Sequence, residues 1–576
     1  MSLKEKKLLR PLPIGISEFT KVIDNDCYYS DKTLFIKKFL DLKSEVILFA
    51  RPRRFGKTLN MTMMRTFFEK RLDGKDTSHY FKNLKIWQAG EKYTKEQGRR
   101  PVIYLTLKDI KFRTLESALA GIRQEISTEF QRHSELIDSD SLNVADKTVF
   151  NDIFFGKASD GAWSISLKKL SAMLYTHHGI QPMIIIDEYD TPIQTANEYG
   201  YYEDMVNFMR IFLSSAFKDN PSLYRGMLTG ITRVSKESIF SGLNNLKVDT
   251  IFNTDFSDCF GLTAEEVSDM LDFYDIPDKK EEAAHWYDGY MFGNTEIYNP
   301  WSMIEYLDNN CIAQPYWVNT SSNALVGQAL EMADNDDSKV LEDLVNGGTV
   351  ETEINTNVIY PEIMSNINVA YSLLAQTGYL KSIHNEIDDG RMICTLKIPN
   401  RELRTIYFDK ILNRFVKDST AGRKAGELRR AMTKGNAEKI ERLVQDYIMS
   451  ALSFHDLTEE KDYHNVFLGL VYIATDNYSI KSNRESGEGR YDIAMFPKRN
   501  NLPGIIFELK HYRAEEGEKA DRQKLEKSLE KAAEEALKQI ENNAYLTELK
   551  EAGAGSIFRY GAAFCGKKAK VISRNK

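Results

Sequence analysis

Residues 183–187, Met-Ile-Ile-Ile-Asp, form an unbroken apolar run that ends in two carboxylates, Asp187 and Glu188. A strand without polar alternation must be covered on both faces, which is the condition of a parallel sheet packed between helices. VILFA at 46–50, VIYLTL at 102–107 and YRGMLTGITR at 224–233 read as further strands, and helical stretches near 112–131, 164–176 and 201–217 fall between them. This alternation predicts an α/β domain with helices on both sheet faces.

The first of these strands runs into a basic loop and then an amphipathic helix, with Phe55-Gly56-Lys57-Thr58 at the turn. Such a turn suits phosphate binding. A helix N-terminus offers free N–H groups, Lys57 has the length to reach terminal phosphates, and the Thr58 hydroxyl is a ligand for Mg²⁺. In the pattern G-x-x-x-x-G-K-[ST] the first glycine would fall at 51, where this chain has Arg51. The GKT tripeptide gains weight from the strand that ends in Asp187 and Glu188, which suit a metal-orienting and a water-polarising carboxylate. The plainer reading is a core strand that ends in surface acids. Thr229, Thr232 and Arg233 at the end of the 224–233 run are candidate γ-phosphate contacts, with an exposed loop as the alternative for Arg233. Arg51, Arg53 and Arg54 suit either clamping of phosphates or the holding of acidic neighbours.

Near the C-terminus, GRYDIAMFPKRNNLPGIIFELK alternates with period two on both sides of a turn. Turning around Asn500 sets Asp492 opposite Glu508 and puts Lys510 on the same face. Two carboxylates about 5 Å apart repel unless a cation or proton joins them. Mg²⁺ or Mn²⁺ is the natural candidate, because hard cations take oxygen ligands and leave positions for water and a phosphate. With Lys510 beside them, the three residues point to phosphodiester hydrolysis. An exposed hairpin with ordinary surface ion pairs is the alternative.

The phrases LPIGISEFTKVI, YSDKT, RPRRFGKTL, IIIDEYDTPI, LTGITRVSKESIFSGLNNL, YDGYMFG and IYNPWS occur in this order along most of the chain. They resemble a group of bacterial proteins that join an AAA-ATPase-like domain to a C-terminal PD-(D/E)XK nuclease-superfamily domain. The resemblance implies a P-loop NTPase-like parallel sheet and a C-terminal α/β nuclease-like domain. Between them the pattern turns mainly helical from about Leu262, with short strands at 379–383 and 393–398 that read as a winged-helix-type hairpin after a helix at 367–377, and the expected boundaries are 10–260, 261–440 and 441–576. The resemblance makes Arg51 a family trait, matches Asp492, Glu508 and Lys510 to the D…ExK motif, and aligns Gln539, with Tyr545 six residues on, to a glutamine of the following helix. It also implies an additional acidic ligand from the preceding helix, for which Glu459, Glu460 and Asp462 are candidates. His464 reads as a packing residue.

A chain of 576 residues exceeds one ordinary core, and a net charge of −7 excludes a protein that coats nucleic acid nonspecifically while permitting a local basic groove. Cys27, Cys259, Cys311, Cys394 and Cys565 lack CxxC spacing and are expected to be buried thiols of a reducing compartment. No apolar leader or spanning run occurs, so a cytoplasmic location is expected. Trp286, Tyr287, Tyr290, Phe292, Trp301, Tyr316 and Trp317 suit either a base-stacking surface or helix packing, and packing is the expected role. The basic end, GKKAKVISRNK, reads as a solvated tail. The leading expectation is an ATP-binding, Mg²⁺-dependent protein whose nucleotide state gates a nuclease acting on DNA or RNA; an arginine supplied in trans would require a homo-oligomer. The alternative is a nucleotide-controlled switch whose nuclease-like domain grips nucleic acid or protein without cutting.

Overall fold

The structure is a computed structural model that describes residues 10–70, 74–232, 243–317, 347–357, 367–405, 421–451, 477–486, 489–499, 502–514, 522–541, 548–550 and 552–575, with the single residues 240, 340, 344, 407, 467 and 471. The chain divides into two compact units, one comprising Met1–Ala333 with Thr349–Arg404 and the other Asp334–Gly348 with Thr405–Lys576.

In the first unit β1 (Val46–Ala50) leads into helix α1 (Lys57–Phe68), and β2 (Val102–Thr106), β3 (Met183–Asp187), β4 (Arg225–Gly230) and β5 (Leu246–Asp249) complete a sheet of order β2-β3-β4-β1-β5. Every pairing in it is parallel. The apolar runs lie where their composition requires: all residues of β1 and β3 are buried. Helices α2 (Leu115–Arg132), α3 (Ser166–His178) and α4 (Tyr202–Phe217) occupy the expected helical stretches. Ile122, Leu170 and Met209 pack from them against Ile103, Ile184 and Leu228 of the sheet. Parallel order brings Ala50, Asp187 and Gly230 to one edge, the carboxyl ends of adjacent strands, where ligands of open α/β sheets bind.

Beyond β5 the same unit continues through a small sheet, β6 (Leu262–Thr263), β7 (Tyr290–Phe292) and β8 (Thr295–Tyr298), in the order β6-β8-β7. Helices α5 (Ala264–Phe273), α6 (Lys280–Tyr287) and α7 (Pro300–Asp308) pack around it. Thr263 begins α5 with a full capping box to Glu266. Tyr287, Tyr290, Phe292, Tyr316 and Trp317 are buried, so these aromatics pack the fold rather than offering a stacking surface. β9 (Val350–Glu353), helix α8 (Ile367–Gln376), β10 (Lys381–Asp388) and β11 (Arg391–Lys397) follow, with sheet order β10-β11-β9.

The second unit has α9 (Ala421–Thr433), α10 (Ala437–Ala451), β12 (Tyr478–Ser486), β13 (Gly489–Pro497), β14 (Gly504–His511), α11 (Arg522–Glu541), β15 (Ile557–Cys565) and β16 (Lys568–Asn575). Its strands lie in sequential order, antiparallel except for the parallel β14–β15 pair. That one crossover uses α11, as a parallel connection requires.

Two expectations are corrected. Residues 568–575 are strand β16, not a tail: Gly566 adopts φ +55 in a tight turn and the chain pairs back on β15. Ala569 and Val571 are buried, while Lys568 and Lys570 suit an edge strand that must not recruit another chain. Of the cysteines, Cys27, Cys259 and Cys394 are buried, but Cys311 and Cys565 are half-exposed; among the described residues all are free thiols. No helix among the described residues is long and apolar enough to cross a membrane.

Candidate functional site

The turn between β1 and α1 is held in a conformation that few sequences adopt. Arg54 and Gly56 both have positive φ, +70 and +78. Glycine meets this condition without strain, whereas an arginine there costs about 1 kcal/mol or more, so neighbouring contacts have to hold it. The Phe55 ring supplies one: it is fully buried, 4.9 Å from Tyr290 and 5.2 Å from Phe292. The Phe55 carbonyl accepts from the Gly261 amide at 3.0 Å. The exposed Arg54 guanidinium lies 4.0 Å from the Trp301 ring centre. Arg53 donates to Gln194 at 3.1 Å, and its carbonyl accepts from the Trp317 indole at 3.3 Å.

Arg51 takes the place of the missing glycine and turns inward. It is fully buried, donates to Asp249 Oδ1 at 2.5 Å and to the Asp249 and Ala50 carbonyls at 2.9 and 3.0 Å. Phe260 and Phe292 flank the guanidinium, each at 5.2 Å. Burial draws the Arg51 pKa down and the Asp249 pKa up, and their pairing opposes both shifts. Of the alternatives open for Arg51, the structure selects the holding of an acidic neighbour. Lys57 is also buried, with its ammonium on the Arg51 and Pro52 carbonyls at 3.0 and 2.9 Å. Burial lowers its pKa, and Glu188, Asp187 and Asp190 counter that shift.

At the end of β3, Asp187 accepts from the Thr58 hydroxyl at 2.7 Å and from the Thr229 hydroxyl at 2.5 Å. The strand-to-helix turn, the acidic strand and the 224–233 strand therefore meet at one carboxylate, 129 residues from Thr58 in sequence. Burial raises the Asp187 pKa, and the two hydroxyls oppose it. Glu188 leaves the strand with φ +53, and its amide donates to Thr229 at 3.2 Å. A hydroxyl beside a carboxylate is an oxygen donor pair that fits Mg²⁺.

Asp190 is a site residue that the sequence reading passed over. It is fully buried and accepts from the amides of Ile231 and Thr232 at 2.9 and 3.1 Å and from Gln194 at 2.9 Å. It thus ties the segment after β4 to Gln194, which holds Arg53. Its place in the acidic run DEYD was the available signal. Thr232 is fixed by Asp190, and Arg233 lies outside the described residues.

In the second unit Ile493 pairs with Phe507, Ala494 with Ile506 and Met495 with Ile505. One step further in this register sets Asp492 opposite Glu508. The Asp492 carboxylate accepts from the Leu509 amide at 2.7 Å. Glu508 is 2 % exposed, while Asp492 and Lys510 are half-buried. Ile493, Met495, Phe507 and Leu509 fill the core on the opposite face, with residues of α9 and α10. That packing fixes which face carries Asp492, Glu508 and Lys510. Helix α11 covers the same face further along: a Cβ on Gly561, the β15 partner of Glu508, would lie 2.1 Å from the Ala533 carbonyl oxygen. Two carboxylates from adjacent strands are a donor set that fits a hard divalent cation. Among the described residues no group of three or more His, Cys, Asp and Glu is placed to hold a metal. Gln539 is half-buried near the end of α11, and Glu459, Glu460, Asp462, His464 and Tyr545 lie outside the described residues.

The comparisons agree with this division. A family described as "Predicted AAA-ATPase" matches residues 13–240, and the PD-(D/E)XK nuclease superfamily matches residues 458–574. The chain is similar to a protein of Azotobacter chroococcum mcd 1, named "Uncharacterized protein in vnfD 5'region", with 25 % identity over 424 residues, 73 % of each chain.

Proposed function

We propose that this chain, an AAA-ATPase-like protein with a C-terminal PD-(D/E)XK nuclease-superfamily domain, binds ATP with Mg²⁺ in the first unit and uses its nucleotide state to govern metal-dependent cleavage of nucleic acid in the second. The observation that carries the nucleotide half is the convergence of Thr58, Thr229 and Asp187 at the carboxyl edge of the parallel sheet. In this reading the α1 N-terminus, with Gly56 and Lys57, holds the phosphates, and Arg53 and Arg54 lie alongside them with Phe55 anchoring the turn. Thr58 and Asp187 would hold the cation, Glu188 would orient the attacking water, and Arg233 would meet the γ-phosphate. The nuclease half is supported by the register that opposes Asp492 to Glu508 with Lys510 on the same face. Those two carboxylates would hold Mg²⁺ or Mn²⁺, and the Lys510 ammonium would orient the attacking water or meet charge that develops on the phosphate. A bound divalent cation supplies Lewis-acid polarisation of the phosphodiester and lowers the pKa of the water. The proposed setting is cytoplasmic, and a homo-oligomer is compatible with an arginine supplied in trans.

The test is cleavage of single-stranded and duplex DNA and RNA with Mn²⁺, comparing wild type with Lys510→Ala, with and without ATP. Cleavage by wild type that Lys510→Ala lowers at least 100-fold, and that ATP changes, supports the proposal. Intact substrates throughout, alongside measurable ATP binding, would replace the nuclease by a nucleotide-controlled binding switch.

A further inference from the structure

The three arginines of the turn between β1 and α1 are not compensated alike. Arg51 is paired with Asp249, and the Arg54 guanidinium lies over the Trp301 ring. Arg53 is half-buried. Among the described residues its guanidinium makes no hydrogen bond besides the one to Gln194, and no carboxylate pairs with it. A guanidinium has five N–H donors and a fixed charge, so most of this group is available to an anion.

A short polar chain holds Arg53 in place. Gln194 accepts from it through Oε1 at 3.1 Å and donates through Nε2 to Asp190 Oδ2 at 2.9 Å. A carboxylate only accepts and a guanidinium only donates, so a link between them needs one donor and one acceptor, which a carboxamide supplies in a single orientation. Gln194 belongs to the helix Thr191–Tyr199, and its side chain lies one turn on from Asp190. Asp190 is itself fixed: it is fully buried, and the Ile231 and Thr232 amides meet the same Oδ2 at 2.9 and 3.1 Å. The place of the Arg53 guanidinium is therefore set by the ends of β3 and β4 and not by its own flexible stem.

The helix Thr191–Tyr199 starts directly after the acidic end of β3, so Gln194 draws Arg53 to the Asp187 side of the turn. Thr58 and Asp187 meet on that side at 2.7 Å. In the phosphate-site reading a cation there bridges the last two phosphates, which leaves the inner phosphate to the α1 N-terminus and brings the terminal one to the side where Arg53 is held. Lys57 senses the same space: burial lowers its pKa, Glu188, Asp187 and Asp190 oppose that shift, and the Arg53 charge adds to it. The geometry points to Gln194 as the positioning residue that aims Arg53 at the terminal phosphate, so that the pair distinguishes a nucleoside triphosphate from a diphosphate. This inference rests on the phosphate-site reading and extends it to a residue outside the turn.

Calorimetric titration of the full chain in Mg²⁺ buffer with ADP and with AMP-PNP, whose β–γ bridge is not hydrolysed, tests the assignment. Wild type is expected to bind AMP-PNP roughly tenfold or more tightly than ADP, as a charge-assisted contact to one further phosphate would give. Arg53→Ala and Gln194→Met each lower that ratio about fivefold or more and leave ADP affinity within about twofold, and the double variant lowers the ratio no further, because both changes remove one contact. Gln194→Asn keeps an amide within reach of Asp190 but is one methylene too short for Arg53, and it gives the same loss. A Gln194 that only supported the fold would weaken both nucleotides alike. That result, additive losses in the double variant, or a ratio that Arg53→Ala lowers and neither Gln194 variant alters would overturn the positioning role. Equal affinities of wild type for both nucleotides, or a ratio that Arg53→Ala leaves unchanged, would overturn the assignment while leaving the phosphate site standing. Failure of wild type to bind either nucleotide would overturn the phosphate site and the assignment with it.

Discussion

Replacing Arg51 by Met removes one half of an ion pair in which neither side chain is exposed to solvent. Asp249 is then left as a buried carboxylate without its guanidinium, and the Ala50 and Asp249 carbonyls lose their side-chain donor. Breaking one partner of a buried pair costs about 3–5 kcal/mol, whereas replacing both by apolar side chains of similar volume is often near neutral. With an unfolding entropy near 2.1 cal/mol/K per residue, a unit of this size loses roughly 1 °C of Tm per kcal/mol. Arg51→Met is therefore expected to lower the transition of the first unit by about 4–6 °C, and Arg51→Met with Asp249→Leu by about 2 °C or less. The pH dependence gives an independent check. Burial raises the Asp249 pKa in the folded chain above its unfolded value, so its contribution is most favourable at low pH and is lost as pH rises through the folded pKa. Loss of Arg51 strengthens that trend, and the deficit of Arg51→Met is expected to be smaller at pH 5 than at pH 8. Scanning calorimetry of the full chain at one fixed scan rate measures both effects. Equal losses in the single and double variants, independent of pH, would place the weight of Arg51 in its carbonyl and aromatic contacts and refute the ion-pair argument.

Three further outcomes are expected. Gly561→Ala places a Cβ 2.1 Å from the Ala533 carbonyl oxygen and 2.8 Å from the Leu537 amide nitrogen, both backbone atoms of α11. It should lower the melting transition of the second unit by at least 2 °C, which calorimetry reads directly. Glu402 is buried and accepts from Trp317 N at 2.7 Å and from the Ser302 hydroxyl, and burial pushes its pKa up to about 7. Its folded pKa lies above the unfolded value, so stability present below about pH 4.5 is lost as pH rises through about 7, by roughly 3 kcal/mol. Glu402→Gln should flatten that slope in urea titrations between pH 5 and 8. Asp190→Ala leaves the buried amides of Ile231 and Thr232 without their acceptor and should destabilise the first unit by about 2–3 kcal/mol, while Asp190→Asn, which keeps an acceptor oxygen, should lose less by the same measurement.

The sequence made the parts of the fold legible where a local pattern carries them. Apolar runs without alternation located β1, β3 and β4, and period-two alternation about residue 500 gave the register that sets Asp492 against Glu508. Strand β5 was not legible, because LKVD is four residues long and half polar. With it went Asp249, the partner of Arg51 across 198 residues, a pairing that no local pattern encodes. Strand β16 was misread because lysines that protect a sheet edge have the composition of a tail. Asp190 was hidden beside Asp187 and Glu188, since three acids in four positions look alike until the backbone turns one inward.

The loop RPRRFGKT departs from a glycine-rich turn in a way that its partners explain. A turn made of glycines is shaped by its own backbone, but here almost every side chain has an anchor elsewhere in the first unit: Arg51 on Asp249, Arg53 on Gln194, Arg54 over Trp301, Phe55 between Tyr290 and Phe292. The backbone is held too, by Trp317 on the Arg53 carbonyl and by the Gly261 amide on the Phe55 carbonyl. Most of these anchors follow β5 in the chain, so Gly261, Tyr290, Phe292, Trp301 and Trp317 help to shape the turn between β1 and α1. A packed interior changes between discrete arrangements rather than deforming continuously. Any displacement of Arg53, Arg54 or Phe55 on nucleotide binding would therefore have to be matched by movement of Trp301, Trp317 and the β7–β8 hairpin. If a nucleotide binds at the turn as proposed, those contacts would carry its effect beyond the sheet, which a self-supporting glycine loop would not provide.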